Sequence, residues 1–227
     1  MTKPVTLSID IWSDVMCPWC LVGWGNLRQA LIQLQGEVEA QVRWHAFELN
    51  PDMPPEGEEA TAHIARKYGR PAAGAAAMQR QMEEAGRAAG VSLEYEAPEP
   101  APPAMLWNTF AAHTLLAWAG ETYGGARQTE LMLALCRAHW NQRRPIGERE
   151  VLLEVVEGTG FARAEAAAAF DSEHFAAKVR QEQQQARAMN ITGVPAMLVA
   201  GKFLIPGAQP PDGYATALRR VAERDAN

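Results

Sequence analysis

The sequence of 227 residues lacks any apolar run that approaches the ~18 residues of a membrane-spanning helix. Its N-terminus also lacks a charged segment followed by an apolar stretch of ~7–15 residues, which is the pattern of a secretory signal. Lysine and arginine total 21 against 27 acidic residues, and basic runs do not extend beyond pairs such as Arg143-Arg144. These absences disfavour a membrane or a nucleic acid as a partner and predict a cytoplasmic location.

Cysteine is scarce as well, with three in the chain. Three cysteines in a long chain that is expected to be cytoplasmic do not make a structural disulfide framework. Their spacing is therefore considered as a possible sign of redox chemistry or metal binding. The segment Gly23-Trp24-Gly25 lacks the third glycine of a dinucleotide-binding fingerprint, and we expect neither a nicotinamide nor a flavin cofactor. Apolar residues nevertheless make up 48% of the chain, which excludes disorder throughout.

The predicted elements follow the order strand–helix–strand, a long helical block, and strand–strand–helix. Residues 58–189 have a helix-forming composition that favours six or seven helices, with breaks at Gly69-Arg70-Pro71 and Gly124-Gly125 among others. We therefore predict a thioredoxin-like α/β domain of residues 1–57 and 190–227, with residues 58–189 as a large all-helical insertion. Its strands are expected at Val5–Trp12, Val38–Leu49, Ala196–Ala200 and Lys202–Ile205, and its helices from Pro18 to about Gly36 and at Asp212–Arg224.

The strongest chemical signal is Cys17-Pro18-Trp19-Cys20, which lies directly between the first strand and the first helix. A Cys-x-x-Cys near a βαβ pattern is typical of a thiol–disulfide site. The unpaired N–H groups and the positive dipole end at a helix start favour a thiolate over a thiol. We expect Cys17 to be exposed and to exchange with substrate, and Cys20, one turn further on, to resolve the mixed disulfide. Pro18 and Trp19 are expected to tune how well the reduced form is stabilised.

A zinc site and simple packing are the alternatives for this cysteine pair. Cys136 and His139 form a Cys-x-x-His that could complete a Cys₃His set with Cys17 and Cys20. Cys136, however, lies in an apolar helical stretch, where a small buried hydrophobic residue is the more ordinary interpretation. We expect no metal, and a zinc-stabilised binding module is kept as an alternative function.

The second signal is Thr192-Gly193-Val194-Pro195, where a proline opens a strand. In a thioredoxin arrangement this loop faces the Cys-x-x-Cys. A cis peptide bond before Pro195 would turn the Val194 backbone toward the substrate. Val194 and Pro195 are therefore the candidate substrate-binding residues.

Four segments of the chain match a known family in the same order: Ser13–Cys20, Phe47–Pro54, Asn108–His113 and Thr192–Pro195 with its continuation through Gly207-Ala208-Gln209. Together they resemble the DsbA-like branch of the thioredoxin superfamily, in particular its FrnE-type oxidoreductases. The resemblance implies a dithiol–disulfide oxidoreductase with a cis-proline loop and a helical cap over the sheet. It implies no cofactor other than the redox-active disulfide Cys17–Cys20. The expected partners are protein or small-molecule thiols and disulfides, with glutathione or thioredoxin as a cytosolic reductant.

A related branch with the same fold and insertion holds glutathione-using transferases and 2-hydroxychromene-2-carboxylate isomerases. Its members usually have serine in place of Cys17, so the presence of both cysteines argues against it, and it is kept as an alternative function. Its glutathione site lies near the segment that matches Asn108 to His113. Asn108 and His113 are therefore possible groove residues, although their spacing of ~140° around a helix does not place them on one face.

A few other side chains are weaker candidates. Asp14 precedes the first helix and is expected to cap it, with tuning of the active site as its other role. His45 follows Trp44 in an alternating strand and is expected to be solvated. Met78 and Met82 lie four residues apart on a helix and are expected to pack in the core, although methionine also suits a promiscuous groove.

Overall fold

The computed structural model describes residues 3–69, 72–98 and 100–225. In chain order the elements are β1 (Val5–Ser13), α1 (Pro18–Gln33), β2 (Val38–Ala46), β3 (Glu58–Glu59), α2 (Ala60–Tyr68), α3 (Ala72–Ala89), β4 (Met105–Leu106), α4 (Phe110–Trp140), α5 (Arg149–Gly158), α6 (Arg163–Phe170), α7 (Glu173–Ala188), β5 (Ala196–Val199), β6 (Phe203–Pro206) and α8 (Pro211–Asp225). A mixed sheet of four strands has the order β2-β1-β5-β6, and β3 and β4 form a separate two-stranded pair. The βαβ and ββα ends lie in one sheet, which confirms a thioredoxin-like α/β fold with a helical insertion.

The central strand β1 joins the two halves of the sheet. It runs parallel to β2 and antiparallel to β5, so that Ile11 lies opposite Trp44 on one side and Met197 on the other. Every residue of β1 from Ile9 to Ser13 is buried. Continuous burial without alternation indicates that both faces of the strand are covered, as in α/β folds generally.

The strand β2 ends at Ala46, earlier than the predicted Leu49. The Phe47 N–H still donates to the Ser13 carbonyl at 3.1 Å, but the Leu49 N–H donates to the Asp14 carboxylate at 2.8 Å instead of to a neighbouring strand. The chain therefore leaves the sheet because a buried carboxylate competes for its backbone donor.

The sequence predicted an all-helical insertion. The inserted segment is mainly helical but also contains the two short strands β3 and β4. The strands β3 and β4 are too short to produce a periodic pattern, which is why they were not predicted. The break predicted at Gly124-Gly125 is a kink within α4, where Gly124 has φ 83°. The break predicted at Gly69-Arg70-Pro71 involves Arg70 and Pro71, which lie outside the described residues; Gly69 itself ends α2 in the left-handed region.

Within the described ranges, no helix combines the length and the apolar character that a membrane span requires.

Two glycines of α1 allow close packing of that helix. An added Cβ at Gly23 would lie 3.0 Å from Cγ of Pro195, and one at Gly25 would overlap the Ala89 carbonyl oxygen at the end of α3. The segment Gly23-Trp24-Gly25 is therefore explained by helix packing. It lets α1 approach both the loop before β5 and the inserted helices.

The helix α4 closes the edge of the sheet at β2. Gln128 accepts a hydrogen bond from the Trp44 N–H at 2.9 Å and donates to the Trp44 carbonyl at 2.8 Å, as a neighbouring strand would. The approach is so close that an added Cβ at Gly125 would overlap the Val42 carbonyl oxygen. An edge strand with paired backbone groups is protected from pairing with another chain.

His45 is mostly buried, so the prediction of a solvated histidine is wrong. Its Nε2 lies 2.8 Å from Asp10 Oδ1 and its Nδ1 lies 3.1 Å from Glu182 Oε1, while the ring stacks on Trp12 at 4.7 Å between centroids. Burial lowers the pKa of His45, but the two carboxylates outweigh it and raise the pKa to about 9. The imidazolium thus links the sheet to α7, since Glu182 also accepts the Ala46 N–H.

The His45 cluster predicts a pH-dependent stability. The folded pKa of His45 is about 9, above its ordinary value of 6.5, so its contribution is complete below pH ~6.5 and is lost as the pH rises through ~9. We expect the free energy of unfolding to fall by at most about 3 kcal/mol over that interval. Denaturant titrations of wild type and His45→Gln measure this, and the variant should lose most of the dependence.

His174→Gln is the matched control for that measurement. His174 also pairs with a carboxylate, Glu121, but its side chain is 61% exposed, and exposed pairs contribute little to stability. The His174 variant should therefore keep the wild-type pH dependence. Equal slopes for wild type and His45→Gln would contradict the assignment.

The close approach of α4 to β2 predicts opposite effects for two glycine substitutions. Gly125→Ala should destabilise the fold by about 3 kcal/mol, because the new methyl group must displace the Val42 carbonyl. Gly74→Ala should instead stabilise by about 0.5–1 kcal/mol, because Gly74 is in α3 with nothing within 4 Å of an added Cβ. Thermal unfolding of both variants measures the difference, and two effects of the same sign would contradict it.

Candidate functional site

The cysteine pair lies where β1 passes into α1. Cys17 is the N-cap residue of α1 with extended backbone (φ −88°, ψ 110°), and Pro18 occupies the first turn of the helix. The Cys20 N–H donates to the Cys17 carbonyl at 3.1 Å. This arrangement follows from the sequence, because a proline without an N–H is well tolerated in the first turn of a helix.

Both cysteines are buried, which corrects the prediction that Cys17 is exposed. The exposed fraction is 3% for Cys17 and 1% for Cys20, whereas that of Trp19 is 37%. The Cys17 thiol contacts the loop before β5 and donates to the Val194 carbonyl at 3.5 Å. The cover comes from a segment far away in the sequence, so the position of Cys17 at a helix start could not reveal it.

The loop before β5 lies directly against the active-site turn. The Val194–Pro195 peptide bond is cis. The Pro195 carbonyl accepts the Gly207 N–H at 2.8 Å, which ties the loop to the end of β6. Val194 thus presents its carbonyl to Cys17, while Pro195 packs against Gly23 of α1.

Cys20 lies beneath the surface and is held as a thiol. Burial raises its pKa well above the ordinary value, and the neighbouring Cys17 raises it further. A hydrogen bond to the Asp14 backbone lowers the pKa of Cys20 and the Asp14 carboxylate raises it, but neither outweighs the burial. At neutral pH, Cys20 therefore needs a partner to remove its proton before it can act as a nucleophile.

Asp14 is not the cap of α1, contrary to the prediction. It lies ahead of the N-cap residue Cys17, whose own side chain makes no capping hydrogen bond. Its fully buried carboxylate accepts the N–H groups of Met16 at 3.3 Å and Leu49 at 2.8 Å. Burial alone raises the pKa of Asp14, but the His113 ring and these two donors outweigh it and hold the pKa below its usual value. An ionised carboxylate therefore lies beneath the active-site turn.

His113 and Asn108, the possible groove residues, are not among the residues that line the cleft beside Cys17. His113 is buried, with its Nε2 3.7 Å from Asp14 Oδ1 and no hydrogen-bond partner for that nitrogen among the described residues. Asn108 accepts the Phe110 N–H at 2.9 Å and donates to the Pro51 carbonyl at 3.2 Å. The His113 side chain therefore lies in the protein interior, and the Asn108 side chain bonds to nearby backbone groups. Both positions are those of residues that support the fold.

Cys17 forms part of the wall of a cleft of about 470 Å³ between the active-site turn and the inserted segment. Met78 and Met82 both line this cleft, and Met82 also packs against the hydrophobic core, as the sequence predicted. Their i, i+4 spacing places the two methionines on one face of α3, the face that lines the cleft. The same spacing is also typical of residues that pack in the core, so it could not distinguish the two positions. Other residues on the lining of the cleft are Gln79, Glu83, Trp107, His139, Arg143 and Val194.

The residues of the zinc alternative do not form a site. Cys136 in α4 is buried and directs its thiol to the Val15 carbonyl at 3.7 Å, and burial raises its pKa. Burial lowers the pKa of His139 to about 4. In the part of the chain that the structure describes, no three side chains of histidine, cysteine, aspartate or glutamate are grouped as metal ligands.

Comparison with known proteins gives the family of this fold. A probable DsbA oxidoreductase from Streptomyces coelicolor is similar with a TM-score of 0.82 and 28% identity, covering 94% of this chain and 89% of its own. A 2-hydroxychromene-2-carboxylate isomerase has a TM-score of 0.67 at 14% identity, with 96% and 98% covered. The cytosolic disulfide reductase DsbM from Pseudomonas aeruginosa has a TM-score of 0.63 at 19% identity, with 95% and 98% covered. At these two lower identities the likeness shows the fold alone. The family model described as a DSBA-like thioredoxin domain matches residues 8–219, and the chain belongs to that family.

Proposed function

We propose that the protein is a thiol–disulfide oxidoreductase in which Cys17 exchanges with substrate and Cys20 resolves the product. The observation that carries this proposal is the position of Cys17. Its sulfur lies at the N-terminus of α1, 3.5 Å from the Val194 carbonyl, on the wall of the cleft. The positive end of the helix dipole favours negative charge on that sulfur, which is the reactive form in exchange.

The exchange proceeds in two substitutions at sulfur. The Cys17 thiolate attacks one sulfur of a substrate disulfide, forms a mixed disulfide and releases the first substrate thiol. Cys20 then loses its proton and attacks the Cys17 sulfur, which releases the second thiol and leaves a Cys17–Cys20 disulfide. Two electrons and two protons pass from the protein dithiol to the substrate, and the reverse sequence oxidises a substrate dithiol.

Several neighbouring residues have roles in this proposal. Val194 and Pro195 form the docking loop, as the substrate chain meets the Val194 backbone next to Cys17. Trp19 is the exposed residue between the cysteines, and with Pro18 it sets the potential of the couple. Asp14, ionised and buried, disfavours a second negative charge on Cys20, so it tunes how readily the resolving thiol is activated.

The recycling partner is proposed by analogy. The structure of the cytosolic disulfide reductase DsbM from Pseudomonas aeruginosa has also been solved with glutathione. We propose glutathione or thioredoxin as the reductant here and a cytoplasmic setting, and the FrnE-type assignment remains a prediction. The glutathione-dependent isomerase is the rival function, because an isomerase has the same fold. That function would not need Cys20.

Cysteine substitutions test the proposal directly. In glutathione redox buffers, thiol trapping and mass spectrometry should show the wild type in two forms. One form has free thiols at both Cys17 and Cys20, and the other has neither because the two are joined in a disulfide. Cys17→Ser should reduce disulfides only at the uncatalysed rate, because the nucleophile is lost. Cys20→Ser should accumulate one mixed disulfide on Cys17, because no thiol resolves it.

Cys136→Ala is the control for these variants. Its thiol is buried and its raised pKa keeps it protonated, so the variant should retain the wild-type redox equilibrium. Full turnover by Cys20→Ser, together with tight glutathione binding, would contradict the oxidoreductase and favour the isomerase.

The burial of Cys20 predicts that the resolution step speeds up with pH. The pKa of Cys20 lies well above its ordinary value, so its thiolate fraction rises about tenfold per pH unit between pH 6 and 8. Rapid-quench trapping after mixing reduced protein with a disulfide should show this slope for the second step. Adduct formation on Cys20→Ser isolates the first step as the control. A resolution rate that is constant across this range would show that the Cys20 thiol is already ionised.

A further inference from the structure

Arg143 lies beside the proposed site, and its side chain has no partner among the residues that the structure describes. It follows α4 and lines the same cleft as Cys17. Its side chain makes no hydrogen bond or ion pair with any residue in the described ranges, and its Nε is buried without a partner. A buried guanidinium nitrogen that lacks an acceptor is costly, so the position calls for an explanation.

The backbone of Arg143 is also unusual. Its φ is 54°, in the left-handed region. The Arg144 N–H donates to the Ala138 carbonyl at 2.9 Å, which closes the end of α4 around this residue. Glycine is the usual residue at such a position because it has no Cβ. An arginine there is unfavourable for the backbone, and a side chain that binds a ligand in the cleft would account for its presence.

The other residues that line the cleft do not neutralise the positive charge of Arg143. Arg143 is the one arginine or lysine among the lining residues that the structure describes, and His139 beside it is neutral at pH 7 because burial lowers its pKa to about 4. The carboxylate on the lining, Glu83, accepts a hydrogen bond from Gln79 at 2.9 Å and does not pair with Arg143. Most of the remaining wall is apolar and rich in methionine.

We propose that Arg143 binds the carboxylate of a small disulfide or thiol whose sulfur reaches Cys17. This proposal rests on the proposed function and specifies the substrate class of the same site. A guanidinium offers a planar fork of donors that matches a carboxylate, and methionine walls adapt to apolar stems of different shape. The volume of about 470 Å³ is in the range of small-molecule sites. A carboxylate bound at Arg143 supplies the missing acceptor.

The reaction balances without any further reagent. The Cys17 thiolate displaces one carboxylate-bearing thiol from the disulfide while the other half remains bound through Arg143. Cys20 then displaces that second half as a thiol, and Cys17 and Cys20 are left joined. The protein gives up two electrons and two protons, and the substrate disulfide becomes two thiols.

Three symmetric disulfides of similar size test the charge preference. They are 3,3′-dithiodipropionate, which is anionic, bis(2-hydroxyethyl) disulfide, which is neutral, and cystamine, which is cationic. Oxidation of prereduced protein is followed in single turnover against disulfide concentration. Each rate is divided by the rate of the same disulfide with dithiothreitol, which removes differences in intrinsic reactivity. We expect the normalised wild-type rates to fall in the order anionic, neutral, cationic.

Arg143→Gly is the decisive variant, because glycine removes the side chain and suits the left-handed backbone. We expect its melting temperature to be at least that of the wild type. Its second-order rate with the anionic disulfide should fall by about 10–100-fold, which is the range expected for loss of a charge-assisted hydrogen bond. The rate with the neutral disulfide should stay within about twofold. Arg143→Lys, which keeps the charge, should retain part of the preference.

Arg144→Gln is the matched control, since Arg144 pairs with Glu154 and does not line the cleft. All three of its rates should equal those of the wild type. An equal loss for all three disulfides in Arg143→Gly, or no anionic preference in the wild type, would overturn the role of Arg143 and leave the oxidoreductase standing. A wild type that reduces none of the three would overturn both.

Discussion

The antiparallel pairing of β1 with β5 is the interaction on which the rest of the molecule depends. It places Trp12 opposite Ala196, and the entire inserted segment lies between these two residues in the chain. Closing so long a loop costs conformational entropy, which the burial of both strands has to offset. Because α1 begins just after β1 and β5 begins just after the cis-proline loop, this single register brings the Val194 carbonyl to Cys17.

The inserted segment stabilises the sheet and shapes the site at the same time. Gln128 pairs with the backbone of the edge strand, and Glu182 contributes to the ion cluster around His45. The same segment also supplies walls of the cleft, with Met78 from α3 and Trp107 from the stretch between β4 and α4. A change that loosens the insertion is therefore expected to act on both stability and the shape of the cleft.

The charges around the active-site turn differ between its buried side and the side that faces the cleft. Beneath the turn, the ionised carboxylate of Asp14 and the buried thiol of Cys20 oppose additional negative charge. On the cleft side, the N-terminus of α1 at Cys17 and the guanidinium of Arg143 attract it. The proposed direction of nucleophilic attack, from Cys17 outward to substrate, agrees with this distribution. In the same proposal, resolution by Cys20 is the step that needs a proton acceptor.

The fold class and the cysteine pair could be predicted from the sequence, because both depend on local signals: strand and helix periodicity, a proline after Cys17, and a proline that opens a strand. The cover over Cys17, the burial of His45, the contacts of Asp14 and the position of Arg143 on the cleft could not be predicted. An alternating strand does not show which of its faces packs against a charged helix. An aspartate just before a helix has the pattern of a cap whichever N–H groups it binds. Each of these features depends on a contact with a segment distant in sequence, which no local pattern contains.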